Sequence, residues 1–241
     1  MMTRPQHRGF SLTEVLLAVA TLAIGMIFIG GTFFTGVHFA TLSTERTIAA
    51  VAVDEAFAKV RLYGINLTDP NLATNRLAPF ETLNPIASDE FFYPSEKISG
   101  EKQYCWSALC RLVDSGSNDR LIQVTVFVSR KVGSTATYPG GTTRPVPVRV
   151  SVAAVSGAGN QNRLAITIPG EQAFIDGGCT IADNRTGLLY RVMQRDPVAL
   201  DTIILDRVWQ GGSADSVWVV PPPVGGGRYP CIAVYQKLIR F

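Results

Sequence analysis

Charged side chains are scarce in this sequence: Asp, Glu, Lys and Arg make up 17% of its 241 residues, against about 25% in an average soluble domain. Low charge combined with 46% hydrophobic residues and a mean hydropathy of +0.18 excludes an intrinsically disordered chain, which needs low hydrophobicity and high net charge. The net charge is only +3 and no basic cluster stands out, so a nucleic-acid partner is not expected. Histidine is scarcer still. His7 and His38 are the only two, which leaves a Ser-His or Cys-His nucleophilic site in the rest of the chain without an imidazole. Also missing are Cys-x-x-Cys, Gly-x-Ser-x-Gly, a Walker loop and a dinucleotide fingerprint. These absences argue against an enzyme, so no catalytic residue, cofactor or metal is expected. Asp176, Asp183, Asp196, Asp201 and Asp206 read as turn and surface acids.

What is abundant is concentrated. Residues 15–44 contain no Asp, Glu, Lys or Arg, and residues 15–37 are almost wholly apolar. As a helix the apolar run spans about 35 Å, enough to cross a bilayer core of about 30 Å. Arg4, His7 and Arg8 precede it, whereas the mixed pair Glu45 and Arg46 follows. That bias puts the N-terminus in the cytoplasm and the remainder of the chain outside. A cleaved secretory signal is the competing reading, but its apolar region runs to only about 7–15 residues. The small-x-small pattern Ala18-Val19-Ala20 lies inside the run, not at its end. No proline occurs between Phe10 and Asp69, so one continuous helix is permitted. Gly25, Gly30, Gly31 and Gly36 each cost it about 1 kcal/mol relative to Ala and suit close packing of helices in a membrane.

The edge of this segment reads Arg8-Gly9-Phe10-Ser11-Leu12-Thr13-Glu14-Val15. A carboxylate beside a hydrocarbon core is expensive and calls for a partner. Ser11-Leu12-Thr13-Glu14 also fits a capping box, in which Glu14 reaches back to the Ser11 N–H. Taken together, the basic leader, the Gly-Phe junction, the Glu five residues after the Gly and the long apolar run resemble the type IV prepilin family. The resemblance implies that a prepilin peptidase cuts after Gly9 and methylates Phe10 as the new N-terminus. It implies further that Glu14 pairs with the freed α-amino group of Phe10, on its own or a neighbouring subunit, and so sets the register of a filament. Thr13 and Val15 stand where the family more often has Ile or Leu. The chain is longer than a compact major pilin needs. The resemblance therefore suggests a minor pilin or pseudopilin that initiates, caps or decorates a pilus or a type II secretion pseudopilus, with other pilins and the inner membrane as partners. A single-pass anchored module that binds a ligand and joins no filament is the alternative.

The helical pattern continues to Tyr63, with Val53, Ala56, Phe57 and Val60 on one side, Glu55 and Lys59 suitably spaced to pair, and Gly64 as the C-cap. Short β-type runs follow. Residues 121–129 alternate, with Ile122, Val124, Val126 and Val128 facing one way and Gln123, Thr125 and Ser129 the other, as in a half-buried strand. Residues 148–155, 164–168 and 232–241 repeat the theme, and the last of these is expected to pair back into the sheet. A helix followed by antiparallel strands is an α+β architecture, which is also the pilin fold. Asp114-Ser115-Gly116-Ser117-Asn118-Asp119 reads as a hairpin turn without the EF-hand calcium pattern. Residues 133–147 and 221–230 read as surface loops, and the Gly- and Asn-rich residues 156–162 as a linker. The expected division is a leader 1–9, a transmembrane and filament-core half of the helix 10–37, an amphipathic half 38–64, a β domain 65–158 and a C-terminal β-rich domain 159–241.

Cys105, Cys110, Cys179 and Cys231 all fall on the predicted outer side, where disulfides form and persist. Of the three possible pairings, Cys105 with Cys110 closes a short local loop and Cys179 with Cys231 ties the C-terminal part, so this pair of bridges is the expectation.

Overall fold

The structure is a computed structural model that describes residues 11–73, 76–98, 101–114, 120–133, 136–157 and 159–241. The leader residues 1–9 and Phe10 lie outside these, as do residues 115–119 of the expected acidic turn. The chain divides into two compact units, residues 1–47 and 48–241.

The first long element is α1, Leu12–Tyr63, a 52-residue helix. It is the one helix among the described residues long and apolar enough to cross a membrane. Its apolar part shows lipid-type chemistry: Leu16, Ile27, Phe28, Phe34 and Phe39 are all exposed. The threonines there return their hydroxyls to the preceding turn, Thr21 to the Leu17 carbonyl at 3.0 Å and Thr35 to that of Gly31 at 2.9 Å. No hydroxyl along this stretch then needs water. α1 ends as expected. Gly64 adopts a left-handed φ of 73° and donates its N–H to the Val60 carbonyl at 3.1 Å, a conformation that favours glycine. Asn84 Nδ2 then caps the Tyr63 and Gly64 carbonyls at 2.8 and 3.0 Å, two of the acceptors a helix end leaves open.

The second unit is layered. Its sheet has the order β1 (Ala78–Pro79), β3 (Tyr104–Asp114), β4 (Leu121–Arg130), β11 (Cys231–Arg240), with β2 (Phe92–Tyr93) on the free edge of β3. Every pairing is antiparallel. On one face of this sheet lie Ala49, Ala52, Val53, Ala56, Phe57 and Val60 of α1, packed on Trp106, Ala108, Cys110, Ile122, Val124, Val126, Val128 and Ile239. The i, i+3, i+4, i+7 spacing of the helix residues forms the stripe that requires such a partner. Each fully buried Val or Phe contributes about 1.5–3 kcal/mol.

The strands between β4 and β11 do something else. β5 (Val148–Ala154), β6 (Arg163–Ile166), β7 (Thr180–Asp183), β8 (Leu189–Arg195), β9 (Thr202–Leu205) and β10 (Ala214–Val219) form a closed antiparallel barrel, in the order β10-β5-β6-β9-β8-β7 and back to β10. Closure removes the exposed edges an open sheet would present. Val150, Val152, Leu164, Ile166, Ile181, Val192, Ile203, Leu205 and Val217 fill its interior, with Tyr190 and Trp209 ring against ring at 5.0 Å.

This arrangement changes four expectations. The residues 156–162 connect β5 to β6 inside the barrel and are not a link between two sheets. The boundary at 158 therefore does not separate two structural parts: β5 belongs to the barrel and β11 to the first sheet. β4 is not half-buried either. Thr125 and Ser129 are 0% and 1% exposed, because the barrel covers the face of the sheet opposite the helix. Leu109 and Phe127 of the sheet, with Leu77 just before β1, meet Ala182 and Val220 there, with Leu189, Trp218 and Val234 at the margin. The loop 133–147 is partly interior as well, burying Tyr138 and Arg144.

The β7–β8 turn pins the barrel to the sheet by hydrogen bonds. Gln236 Nε2 donates to the Gly187 carbonyl at 2.5 Å and Gln123 Nε2 to the same oxygen at 3.3 Å. Gly187 has a φ of +71°, and a Cβ there would meet Gln123 Oε1 at 2.5 Å. The backbone conformation favours glycine here, and any larger residue would also push the Gln123 amide out of its present place.

Candidate functional site

The expected cleavage and methylation residues, Gly9 and Phe10, lie outside the described residues. Glu14 lies within them. Its Oε2 accepts the Ser11 N–H at 3.1 Å, while Ser11 Oγ and Thr13 Oγ1 share a hydrogen at 2.8 Å. The Val15 N–H donates to the Ser11 carbonyl at 3.2 Å, which makes Ser11 the residue at which the helix begins. One half of the capping box is therefore present. Glu14 also sits at the helix N-terminus, where the helix dipole favours negative charge.

The four cysteines are free thiols, and β3 separates the first two. Cys105 and Cys110 stand five residues apart on one uninterrupted strand, about 17 Å along it and on opposite faces. Disulfide geometry needs Cα atoms within about 7 Å, so the expected local bridge between them is overturned. Their spacing looks like a short loop only if the strand is not recognised. Cys110 faces the helix. Cys105 and Cys231 both pair with Ser129 of β4, from its two sides, which puts about two strand spacings, roughly 9–10 Å, between them. Cys231 and Cys179, in contrast, line one cavity of about 320 Å³ together with Gly178, Thr180, Val219 and Tyr229.

Burial raises all four thiols. It pushes Cys105 and Cys231 up to about 12 and Cys179 up to about 11, and it raises Cys110 as well. The Tyr229 phenol is raised by burial first and then by Cys179 beside it.

Two of the scattered acids are more buried than turn and surface residues should be, and both hold turns. Asp183 is 0% exposed and Asp196 5%. Asp183 accepts the N–H groups of Arg185 and Thr186 at 3.1 and 3.2 Å. Asp196 accepts those of Val198 and Ala199 at 2.9 and 3.3 Å and pairs with Arg163. These bonds, the backbone N–H groups first and Arg163 after them, hold the Asp196 carboxyl below the ordinary carboxylate range. Among the described residues no three His, Cys, Asp or Glu side chains gather as a metal site.

The Glu55–Lys59 pair is found as its spacing indicates, but the burial of Lys59, its contacts to Glu90 and all the contacts of Arg144 escaped the reading of the sequence. Lys59 is 8% exposed and contacts the Glu90 carbonyl at 2.7 Å, the Glu90 carboxylate at 2.9 Å and Glu55 at 3.2 Å. Arg144 donates to the Trp106 carbonyl at 2.7 Å, pairs with Glu81 and lies 4.2 Å over the Phe91 ring. The Glu90 contacts of Lys59 and the contacts of Arg144 join the strand-poor segment 65–98 or the loop 133–147 to the helix and sheet, and no sequence spacing points to them.

No protein-family model, curated protein or solved structure matches this chain. What is shown is an α+β protein with one long apolar N-terminal helix followed by antiparallel β structure.

Proposed function

We propose that the chain is a type IV pilin-like subunit, a minor pilin or pseudopilin, cut by a prepilin peptidase after Gly9 and methylated on Phe10. Before assembly it is a single-pass protein of the inner membrane with its β domains outside. Afterwards it belongs to a pilus or pseudopilus in the periplasm or at the cell surface, with other pilins as neighbours. It acts as a structural subunit and not as an enzyme. One observation carries the reading: Glu14 is an isolated carboxylate at the start of the long exposed apolar stretch of α1. The later part of the same helix is folded onto an antiparallel sheet. A plain membrane anchor would need that acid for no more than the helix cap it makes with Ser11. In a filament, the Phe10 ammonium of a neighbour meets it.

The test is co-expression with a prepilin peptidase, followed by intact-mass measurement and N-terminal sequencing. The expected product starts at Phe10 and carries one extra methyl group. A chain that keeps residues 1–9 in the presence of active peptidase overturns the reading and leaves the anchored binding module.

A further inference from the structure

The barrel is joined to the sheet by two connections, residues 131–147 and 220–230, and by the contacts of the β7–β8 turn. A second seam contact involves no hydrogen-bonded pair. Cys179 immediately precedes β7 of the barrel and Cys231 opens β11 of the sheet, and both line the same cavity. The surrounding backbone is adaptable on both sides. Cys179 follows Gly177 and Gly178, the latter at a φ of 89°, and β11 is irregular in register between Cys231 and Ala233. Cys179 and Cys231 are partly exposed as residues, whereas Cys105 and Cys110 are fully buried. Cys110 is on the far face of the sheet and Cys105 lies across β4, so neither competes for Cys231.

We infer that Cys179 and Cys231 are the one oxidisable pair of this protein, and that their disulfide staples the barrel to the helix-bearing sheet while Cys105 and Cys110 remain thiols. The step is thiol–disulfide exchange with a donor disulfide. The Cys179 thiolate attacks the donor and expels one donor thiol. The Cys231 thiolate then attacks the mixed disulfide and expels the second, so that two protein thiols are oxidised, one donor disulfide is reduced and the two protons end on the donor thiols. The inference depends on the pilin-like reading only for placing this domain in an oxidising compartment; the chemistry does not depend on processing at Gly9.

The test uses the full-length chain in detergent, incubated with oxidised glutathione, denatured without reductant, alkylated and mapped by mass spectrometry. The expected result is a loss of two hydrogens per chain, one cross-linked peptide joining Cys179 to Cys231, and alkylated Cys105 and Cys110. The thermal midpoint of the oxidised protein should rise by roughly 5 °C or more over the reduced one. That rise should vanish in Cys179→Ser and in Cys231→Ser and persist in Cys110→Ser. A bridge that contains Cys105 or Cys110, four alkylated cysteines after oxidation, or a rise that survives Cys179→Ser would overturn it. A protein that is never cut at Gly9 yet forms the bridge sinks the pilin-like reading alone.

Discussion

The Glu14 carboxylate accepts the backbone N–H of Ser11 at 3.1 Å, so the acid proposed to hold a neighbouring subunit is already engaged in starting its own helix. The two roles are separable because capping needs only an oxygen acceptor, whereas pairing with an ammonium needs charge. Glu14→Gln keeps the first and loses the second; Glu14→Ala loses both. Both variants should be cut normally at Gly9 and both should be missing from sheared filaments on immunoblots. Wild-type incorporation of Glu14→Gln would reduce Glu14 to a helix cap.

The raised thiols set the speed of their own chemistry. Only the thiolate reacts, and Cys179 reaches its ordinary ionisation only near about 11. Its alkylation by iodoacetamide in the native protein should therefore quicken about tenfold per pH unit from 7 upward and level off near 11. Residue-resolved mass spectrometry measures this. A rate for Cys179 that is flat above pH 9 contradicts the environment described.

Lys59 should be a stability residue despite carrying charge. Its ammonium serves Glu90 twice and Glu55 once, and Lys59→Met fills the volume but leaves those acceptors without it. Hydrogen bonds to charged groups are worth about 1.5–3 kcal/mol. Since Glu90 keeps access to water, the loss in urea unfolding should fall at or below the lower end of that range. Glu55→Gln, which removes only the charge of the more distant partner, should cost less.

Asp196 predicts a pH dependence of definite sign. Its folded carboxyl titrates below its unfolded value, the N–H groups of Val198 and Ala199 being the main cause, so the folded state binds fewer protons. The contribution to stability is complete above an unfolded value of about 3.9 and disappears as pH falls through the lower folded value. Wild type should melt above Asp196→Asn at pH 6, and the gap should close between pH 4 and pH 2. A gap that widens on acidification is incompatible with these contacts.

Local chemistry made some of this structure legible in the sequence and hid the rest. The end of α1 at Gly64, its Val53-Ala56-Phe57-Val60 stripe, and the strand character of β4 and β11 are properties of single elements, and each is found where the pattern places it. What partners an element is a property of the whole fold. Thr125 and Ser129 look solvent-facing because they are polar, yet a barrel covers them. Residues 156–162 have the composition of a linker because a turn between barrel strands needs the same glycine and asparagine. Cys105 and Cys110 show the same limit, since five residues form a tight loop or a 17 Å strand according to a conformation that spacing alone does not fix. The low charge outside the membrane-type segment also has an internal explanation: the sheet is covered by α1 on one face and by the barrel on the other.

Placing the barrel between β4 and β11 has a kinetic consequence. β11 pairs with β4 along nearly its whole length, yet the chain between them carries all six barrel strands. If that stretch were still an open coil, bringing the two strands together would incur the entropy of closing a very long loop. Non-local pairing of this kind slows folding. A barrel that closes on itself first shortens the effective tether to the two connections that flank it, residues 131–147 and 220–230, which in the folded protein are joined by the Val224 N–H to the Thr137 carbonyl at 2.7 Å. The inserted module then serves as the scaffold on which the last strand of the helix-bearing sheet finds its place.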